Sequence, residues 1–290
     1  MKNKYLITPY CLILPSIIFA SFIIIYPTYD LINLSLNKVN RFGKLRGFNE
    51  GANFLSILSD QLFYDSLNRT FIWTIGVVVG TIIISIPIAM ILNEKFIGRG
   101  IARTIIMLPW AISLAMASIV WRWALDGEFG MFNHTLKQLN IIDENIFWLA
   151  TGEVAFPIQI LIGILVSIPF TTTVFLGGLS SVPLELYDAG KMDGTTKLNE
   201  FFYITLPLIK PFINIAVVIN LINVFNSFPI IWVLTEGGPA NSTDILITYL
   251  YKLAFKFGKI GNASALSLIM FSILIILVFI YAKVQIKNEE

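Results

Sequence analysis

Long charge-free apolar runs alternate with polar segments along the whole chain. The runs cover 5–29, 70–93, 104–121, 154–184, 211–235 and 260–282. A bilayer core about 30 Å thick needs roughly 20 apolar residues at 1.5 Å rise each, so every run qualifies or nearly does. Backbone groups in lipid must be satisfied within the segment or in a closed barrel. The runs are too long and too evenly apolar for barrel strands, so they are read as helices. The pattern predicts an all-α polytopic membrane protein that forms a single transmembrane domain over 1–290. Its spans are expected near 8–33, 70–93, 104–124, 155–179, 208–233 and 262–284, with a polar loop at 180–207. Six spans place both termini on one side.

The first run follows Lys2 and Lys4, as a signal peptide would. Its apolar stretch is too long for that, and no small-x-small cleavage site closes it, so an uncleaved span is expected. Orientation by Lys and Arg is a tie in raw count, ten on each side. Short loops weigh most. The shortest, 93–103, carries Lys95, Arg99 and Arg103, which favours N-in and C-in and puts 183–207 in the cytoplasm.

Composition changes the picture only by exclusion. Hydrophobic residues are 56% and charged ones 13%, against about a quarter charged in soluble domains. A net charge of +2 is too small to suggest nucleic acid. A single cysteine, Cys11, excludes an internal disulfide and reads as a small hydrophobe in a helix. The single histidine, His134, reads as a solvated loop residue. No GxxxxGK[ST] appears, so no phosphate cradle for ATP is expected on this chain. HExxH, GxSxG and paired intramembrane carboxylates are missing as well, and the run interiors hold no ionisable residue for ion coupling. No enzymatic chemistry is expected, and uphill transport would need energy from a partner.

The outer segments are 36–69, 125–153 and 236–259. The first mixes Gly43, Gly47 and Gly51 with basic residues, then shows Asn53, Phe54, Leu55 and Leu58 on an amphipathic helix. The second contains DGEFG at 126–130. The third opens on EGGP at 236–239, a turn signal, and places Leu246, Tyr249, Leu250, Leu253 and Ala254 at helical spacing.

The stretch 183–207, PLELYDAGKMDGTTKLNEFFYITLP, is the most polar long segment between two charge-free ones. Ser180 or Ser181 can cap a helix with Pro183 in its first turn, where Glu185 and Asp188 suit the dipole. Gly194 after Asp193 breaks it. Thr195 or Thr196 can cap a second helix, whose Leu198, Phe201, Phe202 and Thr205 share a face. The two helices hinged at Asp193 and Gly194 can serve as a docking lever, or be an ordinary interfacial loop.

This stretch resembles the EAA loop of binding-protein-dependent ABC importer permeases, whose pattern is EAA, then DG, a phenylalanine and I-x-LP. Here Asp188, Ala189 and Gly190 stand for EAA, Asp193 and Gly194 for DG, then Phe201 and ITLP at 204–207. Asp for Glu and Gly for the second Ala depart from it. FNSFPIIWVLTEGGP (225–239), YLYKLAF (249–255), NRTFIWT (68–74), RTIIMLPWAIS (103–113) and VWRWALDGEFG (120–130) are similar to the carbohydrate-uptake branch, of maltose and glycerol-3-phosphate type. The resemblance implies the type I ABC importer permease fold in a prokaryotic cell membrane. It implies half of a translocation path for a sugar or polyol and coupling to a separate ATPase. Glu185, Asp188, Ala189, Gly190, Asp193, Gly194 and Phe201 would carry that coupling. It further implies a second homologous permease subunit, a cytoplasmic ATPase dimer that holds ATP and Mg, and an extracytoplasmic solute-binding protein that meets the EGGP region and outer loops. This chain would hold no cofactor or metal. A stand-alone facilitator or channel is the alternative, and an intramembrane enzyme ranks behind both.

Sugars need neutral hydrogen-bonding groups and an aromatic face. Asn220, Asn223 and Ser227 recur at i, i+3, i+7 on one helical stripe, as substrate contacts or as interhelical glue. In maltose-type permeases, positions matching Asn220, Ser227, Gly163, Ser167 and Phe170 contact sugar. Trp110 is a further aromatic candidate, with packing as its other role. Thr171, Thr172 and Thr173 are weaker polar ones.

Overall fold

The computed structural model describes residues 4–287, with side chains described at Tyr10 and over 12–285. Lys2 lies outside the described residues, and the side chains of Lys4, Cys11 and Lys287 lie outside those described. The elements in chain order are α1 (Lys4–Leu36), β1 (Asn37–Val39), β2 (Leu45–Phe48), α2 (Ala52–Leu58), α3 (Gln61–Asn93) and α4 (Arg99–Met107). A 3-10 turn (Leu108–Ala111) leads to α5 (Leu114–Ala124), α6 (Met131–Gln138), α7 (Gly152–Ser180), α8 (Leu184–Met192) and α9 (Lys197–Glu200). A π turn (Phe201–Thr205) precedes α10 (Leu206–Phe225), α11 (Phe228–Thr235) and α12 (Leu246–Tyr251). A second π turn (Lys252–Lys256) precedes α13 (Ile260–Lys287). Among the described residues, five helices are long and apolar enough to cross a bilayer, and Arg99–Ala111 with Leu114–Ala124 makes a sixth if the bent pair is one span.

Two compact units divide the chain. One holds Met1–Phe63 and Leu250–Ile275, the other Tyr64–Tyr249 and Ile276–Glu290. In the first, β1 and β2 form an antiparallel hairpin with Asn37 opposite Phe48 and Val39 opposite Leu45. The Asn40 carboxamide oxygen accepts from the N–H groups of Phe42 and Lys44 and so closes the turn. Asn53 ties α2 to the end of α1 by donating to the carbonyls of Ser35 and Asn37.

The second unit packs α3, α7 and α10 around Trp73, Val77, Ile162, Ile168 and Val224, and around Ala89, Phe175, Ile209 and Ala216. The fully buried Trp73 donates its indole N–H to the Val224 carbonyl at 2.9 Å. Small residues allow the helices to meet closely. A Cβ on Gly163 would lie 2.8 Å from Val77 and 2.9 Å from Trp73, and one on Gly178 would lie 2.8 Å from Phe212.

Several expectations are corrected. The third span is not one helix. α4 and α5 meet at 93° because Ile112 turns extended after Pro109 and Ser113 starts a new helix, its hydroxyl accepting from the Met116 N–H. The fifth apolar run is not one helix, since α11 carries the chain on from Phe228 to Thr235 after a break. The segment before the break starts as early as Lys197 and ends at Phe225, where Asn226 and Ser227 leave helical geometry. Pro229 has no N–H for the Phe225 carbonyl, which leaves that carbonyl without its regular helical partner at the break. α3 starts at Gln61, nine residues before the apolar run, and its first turns bury Phe63, Ser66 and Thr70 at helical spacing while Tyr64, Asp65 and Asn68 stay exposed. His134 lies on α6, not in a loop, and pairs with the Gln138 side chain at 2.9 Å.

Candidate functional site

Inside the second unit a cavity of about 370 Å³ opens between α3, the Pro109 turn, α7 and α10. Asn220, Asn223, Ser227, Gly163, Ser167 and Phe170 all line it. The break after Phe225 takes Ser227 off the helical stripe, yet Ser227 still reaches the same cavity as Asn220. Asn220 is buried, and its amide nitrogen lies 2.9 Å from both the Thr171 hydroxyl and the Ala216 carbonyl. Asn226, off that stripe, is exposed and donates to the Ile222 carbonyl.

Trp110 stands on the cavity wall, its ring 6.1 Å from that of Phe170. The bend between α4 and α5 carries it there, so a straight third span would have hidden this wall. Trp73 completes the aromatic lining. The three threonines divide: Thr171 bonds Asn220, Thr173 donates to the Pro169 carbonyl, and Thr172 is buried without a hydrogen-bond partner. Among the described residues that line the cavity none is charged. The wall can hold a small polar neutral molecule against aromatic faces.

The other polar constellation is the loop between α7 and α10. Ser180 and Ser181 do not cap α8. Their hydroxyls donate backwards to the carbonyls of Leu176 and Gly178, closing α7, and Pro183 itself occupies the cap position. α8 ends at Met192, and Gly194 turns the chain with φ +74°, a left-handed conformation that favours glycine. The Thr195 N–H then bonds the Gly190 carbonyl at 3.0 Å. Thr196 caps α9 by accepting from the Asn199 N–H.

α9 is no separate short helix, because it continues through the π turn into α10. Pro207 offers no N–H to the Tyr203 carbonyl, and the Leu206 N–H bonds Phe201 instead, one residue further back. Thr205 is buried and meets the Tyr187 hydroxyl at 3.0 Å, and Phe201 is half-buried, while Leu198 and Phe202 are exposed. The expected shared face of these four side chains is therefore split.

Glu185 lies in the first turn of α8, and Asp188, Ala189 and Asp193 are exposed. Asp188 accepts from Lys191 at 3.1 Å, and this hydrogen bond holds the lysine pKa above its usual value. Gly190 is buried, and a Cβ there would lie 3.0 Å from both Ile204 and Thr195 Oγ1. Apolar side chains also face outward on α8: Leu184, Leu186 and Met192, the last 88% exposed. Charge drew attention to this loop and hid them; their signal is apolar residues interleaved with acids on a nine-residue helix.

At the opposite end of the unit's helices, a cavity of about 490 Å³ brings DGEFG and EGGP together, lined by Arg122, Asp126, Trp148, Glu236 and Pro239 among others. The Asp126 carboxylate accepts from the N–H groups of Phe129 and Glu128, which holds its pKa below the usual value.

Residues 81–287 match the family described as binding-protein-dependent transport system inner membrane component. A probable ABC transporter permease protein of Brucella suis biovar 1 (strain 1330) is 56% identical, covering 100% of each chain. The trehalose/maltose transport system permease protein of Thermococcus litoralis is 32% identical over 95% of this chain and 92% of its own. The sulfoquinovosyl glycerol transport system permease protein of Agrobacterium fabrum is 30% identical over 94% of this chain and 88% of its own. A chain of a bacterial ABC transporter involved in import of the acidic polysaccharide alginate superposes with a TM-score of 0.86 at 22% identity, over 100% of this chain and 98% of that one, and shares its fold. The chain therefore belongs to the family of binding-protein-dependent transport system inner membrane components, and it is a multi-pass permease subunit of an ABC importer.

Proposed function

We propose that this chain forms half of the translocation path for a sugar or related polyol, with the Asn220 cavity as its substrate-contacting part. The observation that carries the reading is the meeting of Ser167, Asn220, Asn223 and Ser227 with three aromatic rings, Trp73, Trp110 and Phe170, on one uncharged wall. Such a wall suits hydroxyl groups and the apolar face of a sugar ring. The names of the Thermococcus litoralis and Agrobacterium fabrum relatives, both transporters of glycosides, point the same way.

The chain would pair with a second homologous permease. Its α8 would dock on a cytoplasmic ATPase dimer that holds ATP and Mg, through Glu185, Asp188, Ala189 and the exposed Leu184, Leu186 and Met192. Gly190, Asp193, Gly194 and Phe201 would keep the shape of the lever. A solute-binding protein would deliver the sugar at the end where DGEFG and EGGP meet. N-in and C-in topology belongs to the same proposal. In this scheme the ATPase chain hydrolyses ATP and this chain transmits the motion.

The test is uptake by proteoliposomes that contain this chain with its partner subunits and binding protein. The double variant Asn220→Leu with Ser227→Ala should lose most uptake while the complex still assembles; wild-type uptake would return both residues to packing. Uptake by this chain alone, without ATP, would favour a facilitator instead.

A further inference from the structure

The hydrogens of the cavity wall are already assigned. The Asn220 amide nitrogen lies 2.9 Å from the Ala216 carbonyl oxygen, which can only accept, so the nitrogen must face it. The reverse orientation would set two acceptors against each other. The second partner, Thr171, is fully buried, and its single hydroxyl hydrogen goes to the Ser167 carbonyl at 3.0 Å. Toward Asn220 it is therefore an acceptor, at 2.9 Å. Both amide hydrogens of Asn220 are thus committed to the protein, and only its Oδ1 is left for a cavity occupant.

Ser167 repeats the arrangement. Its hydroxyl donates to the Gly163 carbonyl at 2.8 Å, which leaves lone pairs for the cavity. The Trp73 N–H is committed to Val224. Asn223 and Ser227, on the same wall, keep groups that can both donate and accept.

We infer that this wall presents fixed acceptors, Asn220 Oδ1 and Ser167 Oγ, selects a neutral hydroxyl-rich ligand against an anionic one, and depends on Thr171 to hold the second amide hydrogen of Asn220 away from the cavity. The inference rests on the reading of this cavity as substrate path. A sugar hydroxyl donates to a fixed acceptor and still accepts from Asn223 or Ser227. A phosphate or carboxylate brings lone pairs to the lone pairs of Asn220 Oδ1 and Ser167 Oγ, and no described residue of the wall carries a positive charge to offset its own. Thr171 never touches the ligand and is a positioning residue.

The experiment uses the full transporter in proteoliposomes. The probes are trehalose and maltose as neutral sugars, and sn-glycerol-3-phosphate and an alginate oligosaccharide as anions. Wild type is expected to take up at least one neutral probe and neither anion. Thr171→Val keeps the side-chain shape and removes the acceptor. It should raise the half-saturation concentration of the neutral probe about tenfold, the worth of one hydrogen bond, with little change in maximal rate. Thr171→Ser, which keeps the hydroxyl, should stay within about twofold of wild type. Uptake of an anion, failure to take up either neutral sugar, an unchanged half-saturation in Thr171→Val, or an equal loss in Thr171→Ser each overturns the inference. The wild-type probe preference needs no variant, so a Thr171→Val chain that fails to assemble leaves that arm decisive. If the Asn220 and Ser227 double variant transports like wild type, the cavity reading itself fails. If that variant is impaired and Thr171→Val is not, only the acceptor wall fails.

Discussion

Gly190 looks like a weakness in the sequence, because glycine costs a helix about 1 kcal/mol relative to alanine. Its surroundings give the reason for it. A methyl there would press on Ile204 Cδ1 and Thr195 Oγ1, each 3.0 Å from the Cβ position. Ile204 Cδ1 is the far end of a flexible side chain and can yield by a few tenths of an ångström. Gly190→Ala should therefore leave thermal stability nearly unchanged, the helix gain offsetting the squeeze. Gly190→Leu has no such space and should destabilise by about 1–3 kcal/mol, read as a lower melting temperature in detergent. A Leu variant as stable as wild type would show that α8 does not pack on the π turn as described. Asp188 carries a second residue-level expectation. Its partner Lys191 has a raised pKa, so the pair is complete below the ordinary lysine value of 10.5 and is lost only as pH rises through the higher folded value. Both side chains are exposed, so salt weakens the pair. Binding of the partner ATPase to this loop should fall with ionic strength and show no inflection from this pair between about pH 6 and pH 9. An inflection there that vanishes in Lys191→Gln would contradict it.

At the scale of elements, hydropathy made the six apolar segments legible because burial in lipid demands composition over a long window. It did not reveal where a helix fails. Pro87, Pro157, Pro169 and Pro211 all stay inside helices, whereas the breaks fall at Ile112 and at Asn226 and Ser227. A proline alone does not decide between a bend and a break; packing around the freed backbone groups does, and that is a tertiary property. The cavity suffered most from this. Its residues were legible as polar positions in apolar runs, but the role of Trp110 depends on the bend and that of Thr171 on an interhelical bond. The π turn offers a test of how local chemistry shapes an element. Pro207 withholds the N–H that a regular turn would send to Tyr203, and Thr205 at the end of the π turn is buried. Pro207→Ala restores the donor. Relaxation to a regular α-turn would rotate α9 against α10 by about 100°, one residue's worth of helix. Loss of the Tyr187 to Thr205 contact should follow, with uptake reduced several-fold at unchanged expression. Wild-type uptake by Pro207→Ala would show that the π turn is incidental.

At the scale of the whole molecule, one continuous segment, Lys197–Phe225, runs from the loop that carries α8 to the Asn220 cavity. Asn220 sits near one end of the Lys197–Phe225 segment, and the lever joins the other at Lys197. A force on α8 can reach Asn220 through the turn at Gly194 and along that segment, through the packing of Tyr187 and Gly190 on the π turn, or back through α7, whose Thr171 bonds Asn220. Gly194 is where the chain requires a left-handed residue, with φ +74°. Proline fixes φ near −65°, so Gly194→Pro cannot keep this turn. The apolar spans that direct insertion are untouched by the change, and the partner's ATP chemistry is on another chain in the proposed complex. The expected result is therefore a split: normal membrane insertion, ATP hydrolysis that persists, and uptake reduced by about tenfold or more, a barrier change of roughly 1.4 kcal/mol or above. Gly194→Ala should fall between the two, since a non-glycine residue pays about 1–2 kcal/mol in that region. Parallel loss of hydrolysis and uptake would mean that the turn serves docking alone; uptake at the wild-type rate would mean that α8 is not the lever.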